Sequence, residues 1–304
     1  MSAKIVGIGA CVADTLITVP SFPEEDTKLR AKSTKTAGGG PTATGIVAAA
    51  KLGVEAAFIG VLSDDTSGRF LLNDFERYGV ATEGIKTESG YRSFASVIWL
   101  AEDKATRTCV YDKGNLPELV PDEKQLKQVE NAEILMVDGN ELNGACVAAK
   151  YAREHNTTVL YDCGGLYEGV ERLLSLTDIM IPSEEFAKKH TRSDNVESAA
   201  KKLMELYCPR VVVITCGKEG GLYYDGKEMW HYPAFSVSAV DTNGSGDVFH
   251  GAFAAALVKG FDYKKCCIFS SAVSAIKCTG IGARESVPTY ETVINYLKEK
   301  GYEL

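Results

Sequence analysis

Asp241-Thr242-Asn243-Gly244-Ser245-Gly246-Asp247 decides how this chain is read. It stands directly before Val248–Val258, a run of small apolar residues that reads as a helix from about Gly246 to Lys259. Gly244 and Gly246 free the backbone, so that successive N–H groups at a helix start can converge on an anion. Asp247 falls in the first turn, where the helix dipole favours its ionised form. A carboxylate beside an anion hole can accept a proton from a hydroxyl while the N–H groups stabilise charge on a transferring phosphoryl group. A plain helix-start acid is the alternative reading of Asp247. A nucleophilic Ser245 is disfavoured, because G-x-S-x-G requires glycine where Asn243 and Asp247 stand.

Two other glycine clusters fail the familiar nucleotide motifs. Gly7-Ile8-Gly9 would need glycine at Val12 to complete a dinucleotide fingerprint. Gly40 and Gly45 have P-loop spacing, but Ile46 and Val47 replace the Lys and Ser/Thr of that loop. Gly38-Gly39-Gly40 before a helix over Thr42–Leu52 still lets a ligand approach the backbone closely. A tight strand-to-helix turn is the alternative there.

Around these loops, apolar runs alternate with helical patterns. Strands are expected at Lys4–Ala10, Ala56–Val61, Glu133–Val137, Thr158–Asp162, Asp178–Ile181 and Arg210–Thr215. Further helices are expected at Ser67–Tyr78, Asn143–His155, Asp194–Leu206, Tyr263–Cys278 and Thr289–Lys300. The alternation implies an α/β fold with a mostly parallel sheet covered on both faces. Two segments break the rhythm: residues 14–36, with Pro20 and Pro23, and residues 91–112, which alternate around a Glu102-Asp103-Lys104 turn. They read as a small antiparallel sheet appended to the main one, inside a single domain spanning 1–304.

Composition narrows the classes. Lys and Arg number 33 against 41 Asp and Glu, a net charge of −8, and no long basic block exists, which argues against nucleic acid as a partner. No apolar run has the length of a membrane span. The first thirteen residues faintly resemble a signal peptide, but Asp14 and the glycine-broken run fit a buried first strand better. Nine cysteines, an odd number without C-x-x-C, read as buried free thiols in a reducing, cytoplasmic setting. Four His without a ligand-spaced pair argue against a zinc site.

Asp241–Asp247 resembles the D-T-x-G-A-G-D signature of the PfkB/ribokinase family of sugar kinases. Gly39–Gly53 resembles that family's N-terminal signature, Thr215-Cys216-Gly217-Lys218-Glu219-Gly220 its T-x-G-x-x-G nucleotide turn, and Gly282–Pro288 a further segment near the nucleotide. The four segments come in the family's order. The resemblance implies a ribokinase-like three-layer fold whose small β-sheet is a lid over the sugar and a homodimer contact. It implies ATP-dependent transfer to a sugar hydroxyl, with Asp247 as general base and the amides of Gly244, Ser245 and Gly246 as anion hole. Thr215, Gly217, Gly220, Ser183 and Gly282 would line the nucleotide; Asp14, Gly39, Gly40 and Thr44 would hold the sugar. Mg²⁺ would ride on the ATP phosphates, and the carbonyls of Asp241 and Asn243 match part of a monovalent-cation (K⁺) site. Three departures stand out. Ser245 replaces the usual Ala, Thr44 replaces a sugar-contacting Asn, and Ser183-Glu184-Glu185-Phe186 replaces N-x-x-E, with Glu185 one place early for a Mg²⁺ role.

Gly38–Thr44 with Val47–Leu52, Asp247–Gly251 and Lys277–Thr279 also resemble the subgroup containing sulfofructose kinase. Lys28 and Arg92, in the lid segments, are the candidates to grip an anionic sugar; solvated surface charge is their alternative. Asp138-Gly139-Asn140-Glu141 lacks the arginine that such a substrate calls for and carries carboxylates that would repel it. A neutral hexose or ketose is therefore the expected acceptor. A sugar phosphate, sugar acid or nucleoside, and a non-catalytic sugar-binding protein, are the other readings.

Overall fold

Short runs of uninterrupted apolar residues carry the main sheet of the computed structural model, which describes residues 2–104 and 106–303. In chain order the elements are β1 (Ile5–Ile8), β2 (Val12–Val19), β3 (Ser33–Gly39), α1 (Pro41–Lys51), β4 (Ala56–Ser63), α2 (Thr66–Arg77), β5 (Ala81–Glu88), β6 (Ala95–Ala101) and β7 (Thr106–Asp112). Then come α3 (Glu123–Glu130), β8 (Ile134–Val137), α4 (Leu142–Glu154), β9 (Thr158–Cys163), α5 (Glu171–Leu174), β10 (Ile179–Pro182), α6 (Glu184–Thr191), α7 (Val196–Tyr207) and β11 (Val211–Thr215). The chain closes with β12 (Gly221–Tyr224), β13 (Met229–Tyr232), α8 (Ser245–Val258), α9 (Tyr263–Lys277) and α10 (Tyr290–Glu299).

Nine strands form the main sheet in the order β13-β12-β11-β10-β9-β8-β1-β4-β5, parallel except for the β12–β13 hairpin at one edge. Ile5, Ile134, Met136, Leu160, Ile179 and Val211 point into one core, which α1, α8 and α9 complete. Val6, Leu135, Val159, Met180 and Val212 point into a second core under α4 and α7. Period-two strands buried on both faces thus separate two helical layers.

The irregular segments form a separate four-stranded sheet in the order β3-β2-β6-β7. Each of β2/β3 and β6/β7 is an antiparallel pair, and the two pairs meet through a parallel β2–β6 seam. Glu102–Lys104 lies in the turn between β6 and β7, while Ala105 falls outside the described residues. Elements that carry little apolar signal went unanticipated. β5 is a half-polar edge strand, α3 and α6 bury only two and three residues, and the β12–β13 hairpin is eight residues of strand.

Helices α1 and α8 cross backbone to backbone. A β-carbon on Gly251 would lie 2.0 Å from the Gly45 carbonyl oxygen, so no side chain fits between them. Both crossing points lie within two turns of a helix start. The two glycine-rich loops that precede these helices are thereby brought to the same end of the sheet. Gly251→Ala is expected to force the helices apart and lower stability by about 1–3 kcal/mol. A fall of the urea midpoint at unchanged slope would show it; an unchanged midpoint would contradict the close crossing.

Candidate active site

The site gathers at the carboxyl ends of β1, β8, β9, β10 and β11, where open α/β sheets present their loops. Gly244 sets the geometry. Its φ of 72° is left-handed, and a β-carbon there would meet Ala283 at 2.6 Å. It caps α8 without a side-chain hydrogen bond. Among the described residues the N–H groups of Gly244, Gly246 and Asp247 meet no acceptor, while that of Ser245 donates to Thr242 O at 3.2 Å. The Ser245 hydroxyl, where the family has Ala, lies beside the Cys278 thiol.

Asp247 occupies the first turn of α8, half-buried at the mouth of this nest. Burial, then the nearby charges of Asp162 and Asp138, push its carboxyl up to about 7, against the pull of His250 and Arg107. Asp162 ends β9 almost fully buried, and burial raises its own carboxyl well above the usual range. His250 joins the two aspartates. Its Nδ1 lies 2.6 Å from Gly246 O and 3.2 Å from Asp162 Oδ2, and its Nε2 lies 2.9 Å from Ile181 O. Burial opposes a charge on this ring, while the two carbonyls and Asp247 favour it. Asp138 has a stitching role. One carboxylate oxygen accepts from Ala10 N at 2.9 Å and Thr42 N at 3.0 Å, the other from Asn140 N at 2.9 Å.

A cavity of about 570 Å³ adjoins the α8 start. Thr215, Gly217, Gly220, Ser245, Gly246 and Phe249 are among its lining, so the 215–220 turn and the start of α8 share one space. Ser183 and Gly282 border it from outside: Ser183 pairs with Thr215 across the strand ends, and Gly282 N–H donates to Asp241 Oδ2 at 2.9 Å.

Asp14 lies on β2, buried, with Ser96 Oγ donating to its Oδ1 at 2.5 Å. Burial raises its carboxyl. Its other oxygen sits directly over the Gly39 α-carbon, so Asp14 and Gly39 form one small polar wall, with Gly40 capping α1 next to it. A second cavity of about 180 Å³, lined by Gly9, Cys11, Phe94, Lys113, Asn140 and Glu141, lies between these strand ends and the small sheet. Thr44 is fully buried in α1, with its hydroxyl unpartnered among the described residues.

Other expected residues stand elsewhere. Lys28 is exposed. Arg92 is exposed and paired with Asp112 at 2.9 Å. Glu185 projects from α6 with 74% of its side chain exposed, in a surface ion pair with Lys189 at 2.6 Å. No group of three or more acidic, His or Cys side chains among the described residues is arranged for a metal. The Asp241 and Asn243 carbonyls are also taken. Lys277 Nζ donates to Asp241 O at 2.8 Å and to Asn243 O, and lies 4.0 Å from Asp241 Oδ2. An ammonium group therefore stands where the resemblance implies K⁺, and the residues present do not fit that ion.

Three charged residues around the site were not singled out as site candidates from the sequence. Lys277 is one. Arg284, 1% exposed, donates to Asp74 Oδ2 and Gly39 O, each at 2.7 Å, and ties the segment after α9 to the Asp14–Gly39 wall. Arg107, exposed on β7, is a lid cation whose charge acts weakly on Asp247 and Lys277. Alternation in the lid marked that strand, but not this residue.

With this geometry in place, comparison with known proteins is informative. Residues 2–290 match the family described as "pfkB family carbohydrate kinase". The ribokinase of Haemophilus influenzae is 28% identical over 304 residues, covering 98% of this chain and 99% of the relative. An ATP-dependent ribose-1-phosphate kinase of Halopiger xanaduensis is 27% identical, with 98% and 99% covered. Among solved structures, Arabidopsis thaliana ribokinase complexed with ribose and ATP superposes with a TM-score of 0.88 at 25% identity, over 98% of this chain and 99% of that one. A match over nearly the whole chain, with glycine loops and a buried aspartate at the strand ends, makes this protein a member of the PfkB family of carbohydrate kinases, the phosphotransferases that act on a sugar hydroxyl.

Proposed function

We propose that the chain transfers the γ-phosphoryl group of ATP to a hydroxyl of a neutral hexose, ketose or related sugar. Asp247 acts as base, and the amides of the 244–246 loop receive the phosphoryl charge. The observation that carries this is a carboxylate held near pH 7 beside N–H groups that meet no acceptor. A base is most effective when its pKa lies near the working pH. The cavity at Thr215–Gly220 suits the nucleotide, and the wall of Asp14, Ser96 and Gly39 suits a polyol. Mg²⁺, when bound with ATP, neutralises phosphate charge; Glu185 is committed to Lys189 and takes no part.

Two observations favour a second acceptor class. The charge of Arg107 acts weakly on Asp247, and one relative is a ribose-1-phosphate kinase. A sugar phosphate or sugar acid is therefore the alternative acceptor, with Arg107 in the grip expected of Lys28 and Arg92. The lid is also proposed to join two copies, since β7 is exposed along its length and presents Val110 and Tyr111. The free state of all nine cysteines supports a reducing, cytoplasmic setting.

An ADP-release assay over ribose, fructose, other neutral sugars, sugar phosphates, sugar acids and nucleosides tests the reading. Turnover of a neutral sugar is expected, and Asp247→Asn is expected to lower kcat by about a thousandfold with ATP affinity retained. Near-normal turnover by the variant would remove the base assignment. Turnover confined to anionic sugars, lost in Arg107→Ala, would select the second class.

The pH dependence follows from the sign of the shift. Asp247 must be ionised to accept a proton, and its carboxyl is raised to about 7. kcat/KM should therefore fall about tenfold per unit below that pH. Asp162→Asn removes a charge that raises it, so the limb should move to lower pH; a limb that stays in place would assign it to another group. Sedimentation velocity at micromolar concentration should show a dimer, and a monomer would exclude the lid interface.

A further inference from the structure

We propose that Lys277 is a built-in monovalent cation, and that its ammonium group makes this kinase independent of K⁺. The inference deepens the kinase reading and rests on it for the rate measurements alone. Lys277 is fully buried at the last turn of α9, where the helix dipole favours a cation. A buried ammonium is costly unless its donors are satisfied. Here they meet Asp241 O and Asn243 O, with the Asp241 carboxylate 4.0 Å away. An ammonium group hydrogen-bonded to two carbonyls, with a carboxylate 4.0 Å away, supplies the charge and the carbonyl partners that a bound alkali ion would have.

The contacts act on the loop that matters. Asn243 immediately precedes Gly244, whose left-handed conformation starts α8 and turns its N–H groups outward. The Asp241 carboxylate also accepts from Asn243 N at 2.8 Å and from Gly282 N at 2.9 Å. The carbonyl of Cys278, next to Lys277, accepts from Val240 N at 2.7 Å and Asp241 N at 3.1 Å. Residues 240–243 are thus pinned to the end of α9 one step ahead of the anion hole. Lys277 is a positioning residue: it touches neither nucleotide nor sugar, and it fixes the loop that does.

The test compares KCl with choline chloride at equal ionic strength, reading initial rate and thermal midpoint in parallel. The wild-type rate is expected to agree within about twofold in the two salts, with the same midpoint. Lys277→Ala, which opens a space of ionic size, is expected to lose roughly a hundredfold in rate in choline chloride. KCl or NH₄Cl should restore most of it, and KCl should raise the variant's midpoint above its value in choline. Lys277→Gln, which keeps length and one polar end without charge, is read in the same way. A wild-type rate or midpoint that rises strongly with K⁺ would overturn the proposal, as would variants that ignore the cation in both readouts. The midpoint needs no turnover, so a failure of the kinase reading would leave this result distinct.

Discussion

The contact between α1 and α8 organises everything else. Because glycine faces glycine at the crossing, two helix starts that lie about two hundred residues apart in sequence open at the same end of the sheet. The first start follows Gly38–Gly40, beside Asp14; the second follows Gly244, beside Asp247. Acceptor and donor ends of a phosphoryl transfer would need this adjacency, because positioning is most of what such an enzyme supplies. A chain of net charge −8 without a P-loop lysine must meet phosphate charge locally. Backbone N–H groups at a helix start do so without adding a titratable group.

Buried charges then hold the loops in register. Arg284 joins Asp74 to the Gly39 carbonyl, and Lys277 joins Asp241 and Asn243 to the end of α9. Lys277 ends α9 and Arg284 follows it before α10, on one short stretch of chain, and each grips a different glycine loop. The acidic groups divide in the same way. Asp138 spends its oxygens on backbone N–H groups and stays structural, whereas Asp247 has no such partners and is left to titrate near neutrality.

What the sequence revealed depended on how local the cause is. Buried parallel strands such as Ile134–Val137 are continuous apolar runs, and the loop at 241–247 carries its chemistry in consecutive residues, so both are readable one segment at a time. Lys277 and Arg284 are not. Each is a single cation outside any recognisable pattern, and its meaning lies in carbonyls more than thirty residues away. Glu185 is the opposite case: its place in a motif singled it out, but the motif does not show that Lys189, one turn on, pairs with its carboxylate. The parallel β2–β6 seam was hidden because alternation reveals a strand but not the direction of its neighbour.

The most direct test is a structure of the protein with its sugar and a non-hydrolysable ATP analogue. The account predicts γ-phosphate oxygens on the N–H groups of the 244–246 loop, one sugar hydroxyl on the Asp247 carboxylate in line with that phosphate, and Lys277 still seated on the Asp241 and Asn243 carbonyls. A γ-phosphate bound away from this helix start, with Asp247 facing no hydroxyl, would contradict it.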